Sequence, residues 1–198
     1  MTETKHRLPA VERRQAVLDT ACRVFSTSSY RGATTAEIAR EAGITEPILY
    51  RHFGSKRDLY LACLDEAWAG LRALCERAVA ESPETCLGAV ADAYMAKRAK
   101  IRLVDLWIQA LSESDDAVIA KALRRQVREV HAYFAELIED GQARGVVHAD
   151  RDPEAEAWLV IAGGLLSTMD HRLCGLLGDG LERVRLQRRR WMSATGAP

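Results

Sequence analysis

An all-α fold is predicted for this 198-residue chain by three observations. Apolar residues recur at helical spacing through most of the sequence. The breaks between them carry helix caps, prolines and glycines, and alternating β-branched runs bounded by Asn-Gly or Asp-Gly turns are missing. About nine helices are expected. Nearly half of the residues are apolar (48%), enough for one sizeable core or a small domain fused to a larger one.

Taken in order, the first helix should run from about Pro9 to Thr27, with Val17, Ala21, Val24 and Phe25 on one stripe. Thr34 can cap a second helix, and Glu37, three residues on, completes a capping box. Ile38 and Ala42 then fall on its buried side, with Ala39 small enough for a close crossing. Gly43 supplies a left-handed turn, Ile44 plugs the corner, and Thr45 caps a third helix with Pro47 in its first turn. Leu49 and Phe53, at i and i+4, face inward and leave Glu46, Ile48, Tyr50, Arg51 and His52 outside. Ser55 with Asp58 makes a second capping box for a long helix reaching about Ser82, striped by Leu59, Cys63, Ala67, Gly70/Leu71 and Leu74.

Ser82-Pro83-Glu84 reads as the next start, and a break near Lys100 leads into Leu103–Leu111. A start at Ser114-Asp115 opens a long helix to Ala143, stopped by Gly145. After a polar loop, Asp152-Pro153-Glu154 begins an apolar helix to about Cys174. Gly178 to Gly180 separates it from a last helix ending near Met192. Arg188-Arg189-Arg190 reads as a solvated face, and residues 193–198 as a frayed tail.

Two short helices across a glycine turn, followed by a third, make a helix-turn-helix, which lays its second helix in a DNA major groove. Charge supports this. The formal net charge is zero, yet residues 1–57 hold ten Lys and Arg against six Asp and Glu, and residues 58–198 hold eighteen against twenty-two. The basic excess therefore sits where phosphate would be met.

Five cysteines (Cys22, Cys63, Cys75, Cys86, Cys174) are scattered, with no CxxC pair, so neither a disulfide scaffold nor a structural zinc site is expected. No clustered basic residues flank any of them to activate a thiolate. No signal peptide is evident, and the longest nearly apolar run, 157–169, is shorter than the ~20 residues a membrane helix needs. A cytoplasmic protein is expected. HExxH, GxSxG, P-loop and GxGxxG motifs are all missing, as are the ExxH pairs of a di-metal bundle. Asp170 and His171 are neighbours, pointing about 100° apart on a helix, and make a poor dyad. No enzyme activity and no cofactor or metal are expected.

Phe25, Tyr30, Thr34-Thr35, Ile38-Ala39, Ala42-Gly43-Ile44, Leu49-Tyr50, Phe53, Ser55-Lys56 and Leu59 closely resemble the tetracycline-repressor (TetR) family of bacterial transcriptional regulators. The likeness covers roughly residues 10 to 62. One departure is Ser29, where members usually end the first helix with glycine.

The resemblance implies a helix-turn-helix DNA-binding domain over 1–55 and a helical ligand-binding and dimerisation domain over 56–198. It implies backbone contacts from Thr34 and Thr35, phosphate or base contacts from Tyr50 and His52, and a phosphate contact from Lys56. Thr45, Glu46, Pro47, Ile48 and Arg51 are the groove-reading positions. Arg51 suits guanine, and Pro47 or Ile48 a thymine methyl. Glu46 would accept from a cytosine amino group or complement its own helix N-terminus.

One recognition helix contacts too few base pairs to select a genomic site, so a homodimer on a palindromic operator is expected. The resemblance places its contact in the last two helices, with Trp158, Ile161, Ala162, Leu165, Leu166, Met169 and Leu173 as candidates and Gly163-Gly164 permitting close approach. It also implies a small-molecule effector site. Its candidate lining is Tyr94, Met95, Trp107, Leu111, Tyr133, Phe134, Leu137, Trp158 and Met169, with His171, Asp170 or His131 as polar contacts. These side chains suit a largely apolar effector that releases a repressor from DNA. The alternatives are a DNA-binding or interaction module without ligand response, and a redox-responsive regulator using a cysteine.

Overall fold

The computed structural model describes residues 10–83, 87–113 and 115–192. Among these residues the chain forms nine α-helices: α1 (Ala10–Thr27), α2 (Thr35–Glu41), α3 (Glu46–His52), α4 (Lys56–Glu81), α5 (Leu87–Ile101), α6 (Leu103–Leu111), α7 (Ala117–Ala143), α8 (Pro153–Arg172) and α9 (Gly180–Met192). The expected all-α class and element order are found.

Local chemistry explains most of the boundaries. Thr34 Oγ1 accepts the Glu37 amide at 3.1 Å, capping α2. At the far end Gly43 takes φ +69°. The Ile44 amide reaches the Ala39 carbonyl and the Gly43 amide that of Arg40, the paired bonds of a Schellman stop. Ser55 Oγ accepts the Asp58 amide at 3.1 Å and donates to its carboxylate at 2.8 Å. Asp152 caps α8 through the Glu154 amide, with Pro153 in the first turn. Arg102, at φ 52°, is the single residue between α5 and α6.

Several expectations are corrected. Thr45 occupies the N-cap of α3, but its side chain makes no capping bond. The start of α7 is fixed by Asp116, whose Oδ1 accepts the Val118 and Ile119 amides, rather than by Ser114-Asp115; Ser114 lies outside the described residues. The proposed start at Ser82-Pro83-Glu84 runs into residues 84–86, also outside them, as is Cys86; α5 is described from Leu87. α8 stops at Arg172, because Cys174 adopts φ 55° and the Gly175 amide turns back to the Asp170 carbonyl. Ser29 needs no glycine substitute. Its hydroxyl accepts the Gly32 amide at 2.9 Å and its carbonyl the Ala33 amide.

The chain divides into two compact units, one comprising Met1–Ala67 with Asp105–Ala122, the other Trp68–Val104 with Leu123–Pro198. The first unit buries Val17, Leu18, Phe25, Ile38, Leu49, Leu59, Tyr60, Cys63 and Leu64 almost completely. Tyr60 meets Phe25 edge-on and Tyr30 at a tilt, both at 5.0 Å, and its hydroxyl donates to the Leu106 carbonyl at 2.6 Å.

The second unit is built around Leu74, Cys75, Leu103, Val130, Phe134, Ile138 and Ala157, all buried. Gly141 is required there, since a Cβ would lie 2.7 Å from the Val147 methyl. Of the three arginines expected to form a solvated face, Arg188 is tied down instead. Arg188 donates to the Glu156 carbonyl at 3.0 Å and carboxylate at 3.1 Å, while Arg185 and Arg189 both reach Asp92. Burial lowers the Arg188 pKa from its ordinary value, and Glu156 opposes that shift. Arg189, for all its pairing with Asp92, and Arg190 remain exposed, as the solvated reading expects.

Candidate nucleic-acid interface

The recognition element is assembled by burying one side of α3. Leu49 has no exposure and Phe53 only 4%, so the opposite side is fixed outward. Thr45, Pro47, Tyr50 and Arg51 are exposed there, with Glu46, Ile48 and His52 partly so. Arg14 of α1 lies over the Phe53 ring at 4.7 Å, and a salt bridge joins Arg23 of α1 to Glu41 of α2. These contacts set α3 against its neighbours in the same unit.

Thr35 and Glu46 take positions the sequence did not anticipate. Thr35 is buried, and its hydroxyl donates to Glu46 Oε1 while lying 3.1 Å from the Tyr50 hydroxyl. This small network links the first turn of α2 to both ends of α3's outward face. Glu46 thus receives a donor from α2, and a phosphate contact by Thr35 would require exchange of that bond. Thr35→Val, which keeps shape but removes the hydroxyl, should cost about 1.5 kcal/mol. Urea denaturation measures it, and an unchanged midpoint would show that the network contributes nothing.

Lys56 begins α4. Its Nζ sits 4.7 Å above the Tyr30 ring and 3.4 Å from the Arg31 carbonyl. Burial lowers its pKa, and the nearby Glu113 carboxylate pulls it back up. Arg31, which sequence reasoning missed, extends beside it into solvent and pairs with the buried Glu113 at 2.9 Å. Arg57 likewise pairs with Asp116 at 3.5 Å. The Lys56 contact with the Arg31 carbonyl ties the start of α4 to the segment that precedes α2. The signal available for Arg31 was the local basic excess.

The candidate effector residues fall in several settings within the two units. Tyr133 and Leu137 line a hollow of about 350 Å³ with Glu76, Val79, Ala80, Glu136 and Asp140. Tyr133 also packs edge-on against Trp68 at 5.4 Å, with Arg72 over its ring. Tyr94 and Met95 are half-buried; Met95 Sδ lies 3.2 Å from Ser167 Oγ. Phe134 is core.

Trp107 and Leu111 belong to the first unit; Trp107 is buried and Leu111 is 61% exposed. Trp158, Met169 and His171 are exposed on α8. The two other polar candidates are already engaged. Asp170 accepts the Leu177 amide at 2.8 Å, and His131 contacts the Glu154 carbonyl at 2.9 Å. Helical periodicity selects apolar residues without revealing which share a cavity.

Of the dimer candidates, Trp158, Ala162, Leu165, Met169 and Leu173 are exposed and Leu166 partly so. Ile161 is the exception, at 9% exposure, and packs inward within its own unit. Leu159, Leu176, Val184, Leu186 and Trp191 extend the uncovered apolar surface of α8 and α9. Trp158 stacks on His131 with centroids 4.2 Å apart. Gly163 has no neighbour within 4 Å of a built Cβ, and Gly164 has only a Val104 methyl at 3.5 Å. Neither glycine is explained by crowding within the protomer.

Fold and site together define an all-helical protein whose N-terminal end is a helix-turn-helix with an exposed, anchored second helix. Residues 17–63 match the profile described as "Bacterial regulatory proteins, tetR family", so the helix-turn-helix segment is of that family's kind. It is 49% identical over 59 residues to the HTH-type transcriptional activator FasR of Mycolicibacterium smegmatis, a match covering 30% of this chain and 27% of that protein. Against the HTH-type transcriptional regulator AcrR of Shigella flexneri it is 41% identical over 56 residues, 28% and 26% of the two chains. These matches thus span about a quarter of the curated relatives' length. The TetR transcriptional regulator structure from Chloroflexus aurantiacus superposes with a TM-score of 0.74 at 25% identity, covering 91% of this chain and 94% of the other. Among the described residues no helix is long and apolar enough to cross a membrane, and no group of His, Cys, Asp and Glu could hold a metal ion.

Proposed function

We propose that this chain is a cytoplasmic DNA-binding transcriptional regulator that grips a palindromic operator as a homodimer. The outward face of α3, held by the fully buried Leu49, carries the reading. Residues 1–55 serve as the DNA-binding domain and 56–198 as the domain for ligand and partner. Thr45, Pro47, Ile48 and Arg51 read base edges, Glu46 holds α3 to α2, and Tyr50, His52, Lys56 and the residues at the α2 start meet phosphate. The uncovered apolar surface of α8 and α9 supports pairing of two copies, because a monomer seldom leaves so many large apolar side chains wet.

Repression relieved by a small, largely apolar effector is the regulatory reading. Val79, Ala80, Tyr133 and Leu137 give the hollow beside α4 and α7 an apolar wall, rimmed by Glu76, Glu136 and Asp140, and its size is that of a small-molecule site. Gel-shift titrations against DNA upstream of the protein's own and neighbouring genes test the assignment, repeated with candidate small molecules. Lys56→Ala should weaken binding to every duplex alike and shallow the dependence of log K on log salt by about one unit. A wild-type protein with no salt-sensitive, sequence-selective binding would end this proposal.

A further inference from the structure

Two cysteines of the first unit lie side by side where α1 packs against α4. Cys22 Sγ lies 3.9 Å from the Cys63 carbonyl oxygen, and Cys63 Sγ lies 3.9 Å from the carbonyl of Leu18, one turn before Cys22. Each thiol thus donates to the backbone of the other's helix. They differ in access: Cys22 is half-buried, whereas Cys63 has no exposure. The other described cysteines differ. Cys75 is buried in the second unit, its thiol pushed up to about 12 by burial, and Cys174 is exposed at the end of α8.

We propose that Cys22 and Cys63 form a reversible disulfide when the protein meets a hydroperoxide, and that the bridge lowers its affinity for DNA. The affinity half rests on the DNA-binding reading above. In the first step the Cys22 sulfur attacks the distal oxygen of the peroxide. The O–O bond breaks, and the alcohol or water leaves with the thiol proton. Cys22 becomes a sulfenic acid. The Cys63 sulfur then attacks the Cys22 sulfur, the S–O bond breaks, and the hydroxyl departs as water with the Cys63 proton. Two thiols have lost two electrons and the peroxide has gained them.

Access assigns the roles. Cys22 is the sulfur a peroxide can reach, and Cys63 resolves the intermediate. Burial first, then Cys22, Glu66 and Asp19, hold the Cys63 thiol well above its ordinary pKa. Cys63 is therefore a poor first nucleophile in solution, and its place beside Cys22 supplies the high effective concentration it needs.

The mechanical effect follows from bond length. A disulfide holds its sulfurs at about 2.05 Å, so forming it draws α1 and α4 together. Leu18, Ala21, Leu59, Tyr60 and Leu64 around them are all buried to within 3% exposure, so the packed core has no slack to absorb the movement. The strain falls on the seat of Tyr60 and the first turn of α4, where Lys56 begins.

The test uses full-length protein carrying Cys86→Ser and Cys174→Ser, treated with hydrogen peroxide and then analysed by peptide mass mapping and operator titration. A Cys22–Cys63 cross-linked peptide, lighter by two hydrogens, should appear, with operator binding weakened by about tenfold and restored by dithiothreitol. Cys22→Ser and Cys63→Ala, each added to that background, should bind as the reduced parent does and ignore peroxide. Absence of the cross-linked peptide overturns the proposal, as does a peroxide effect that survives in Cys22→Ser or a bridge that leaves affinity unchanged. If the reduced parent binds no duplex at all, the DNA-binding reading fails and takes the affinity half with it. The peptide map still decides whether the thiol pair reacts.

Discussion

Leu49→Ala is expected to cost about 2–5 kcal/mol of stability and to abolish operator binding. Leu49 has no exposure and is the one fully buried side chain of the seven-residue α3. A helix that short has almost no stability of its own and depends on the face it buries. Removing the anchor leaves a cavity and also frees α3 to shift relative to α2, so both stability and recognition suffer. Urea denaturation reads the first loss and gel-shift titration the second. Wild-type affinity at a temperature where the variant remains folded would show that Leu49 does not seat the reading surface.

Gly43→Val should be nearly as damaging, for a different reason. A Cβ built on Gly43 meets no atom within 4 Å, so crowding is not the obstacle. The obstacle is φ +69°, a conformation costing a residue with a Cβ about 1–2 kcal/mol and a β-branched one more. Valine would either bear that strain or open the turn and lose the Schellman bonds that aim α3. Melting temperature and operator affinity should both fall, whereas Gly43→Asn, which tolerates this region, should retain most of each. Equal behaviour of the two variants would mean that the turn is not what orients α3.

The helix-turn-helix was legible in the sequence because its determinants are local. Thr34, Gly43, Pro47 and Ser55 act within four residues of themselves, and Leu49 with Phe53 fixes the buried face by spacing alone. Where neighbouring residues could do the same job, the sequence did not decide among them: Asp116, not Ser114-Asp115, captures the free amides of α7. Contacts distant in sequence were invisible. Arg31 and Glu113 are 82 positions apart, and Arg189 and Asp92 97, so a run of arginines read as solvated carries partners that no local pattern signals. The effector residues were hard to choose for a related reason. Leu111 and Phe134 are equally apolar on paper, and only the fold makes one a surface residue and the other core.

The wet apolar surface of α8 and α9 has a consequence for how the protein's action scales with its amount. If two copies must cover that surface before either half-site is held well, the active species grows with the square of the subunit concentration when subunits are scarce. A modest fall in synthesis would then empty the operator more than proportionally. The steepness of the response would be set at Trp158, Leu165 and Met169, far along the chain from any residue that reads a base.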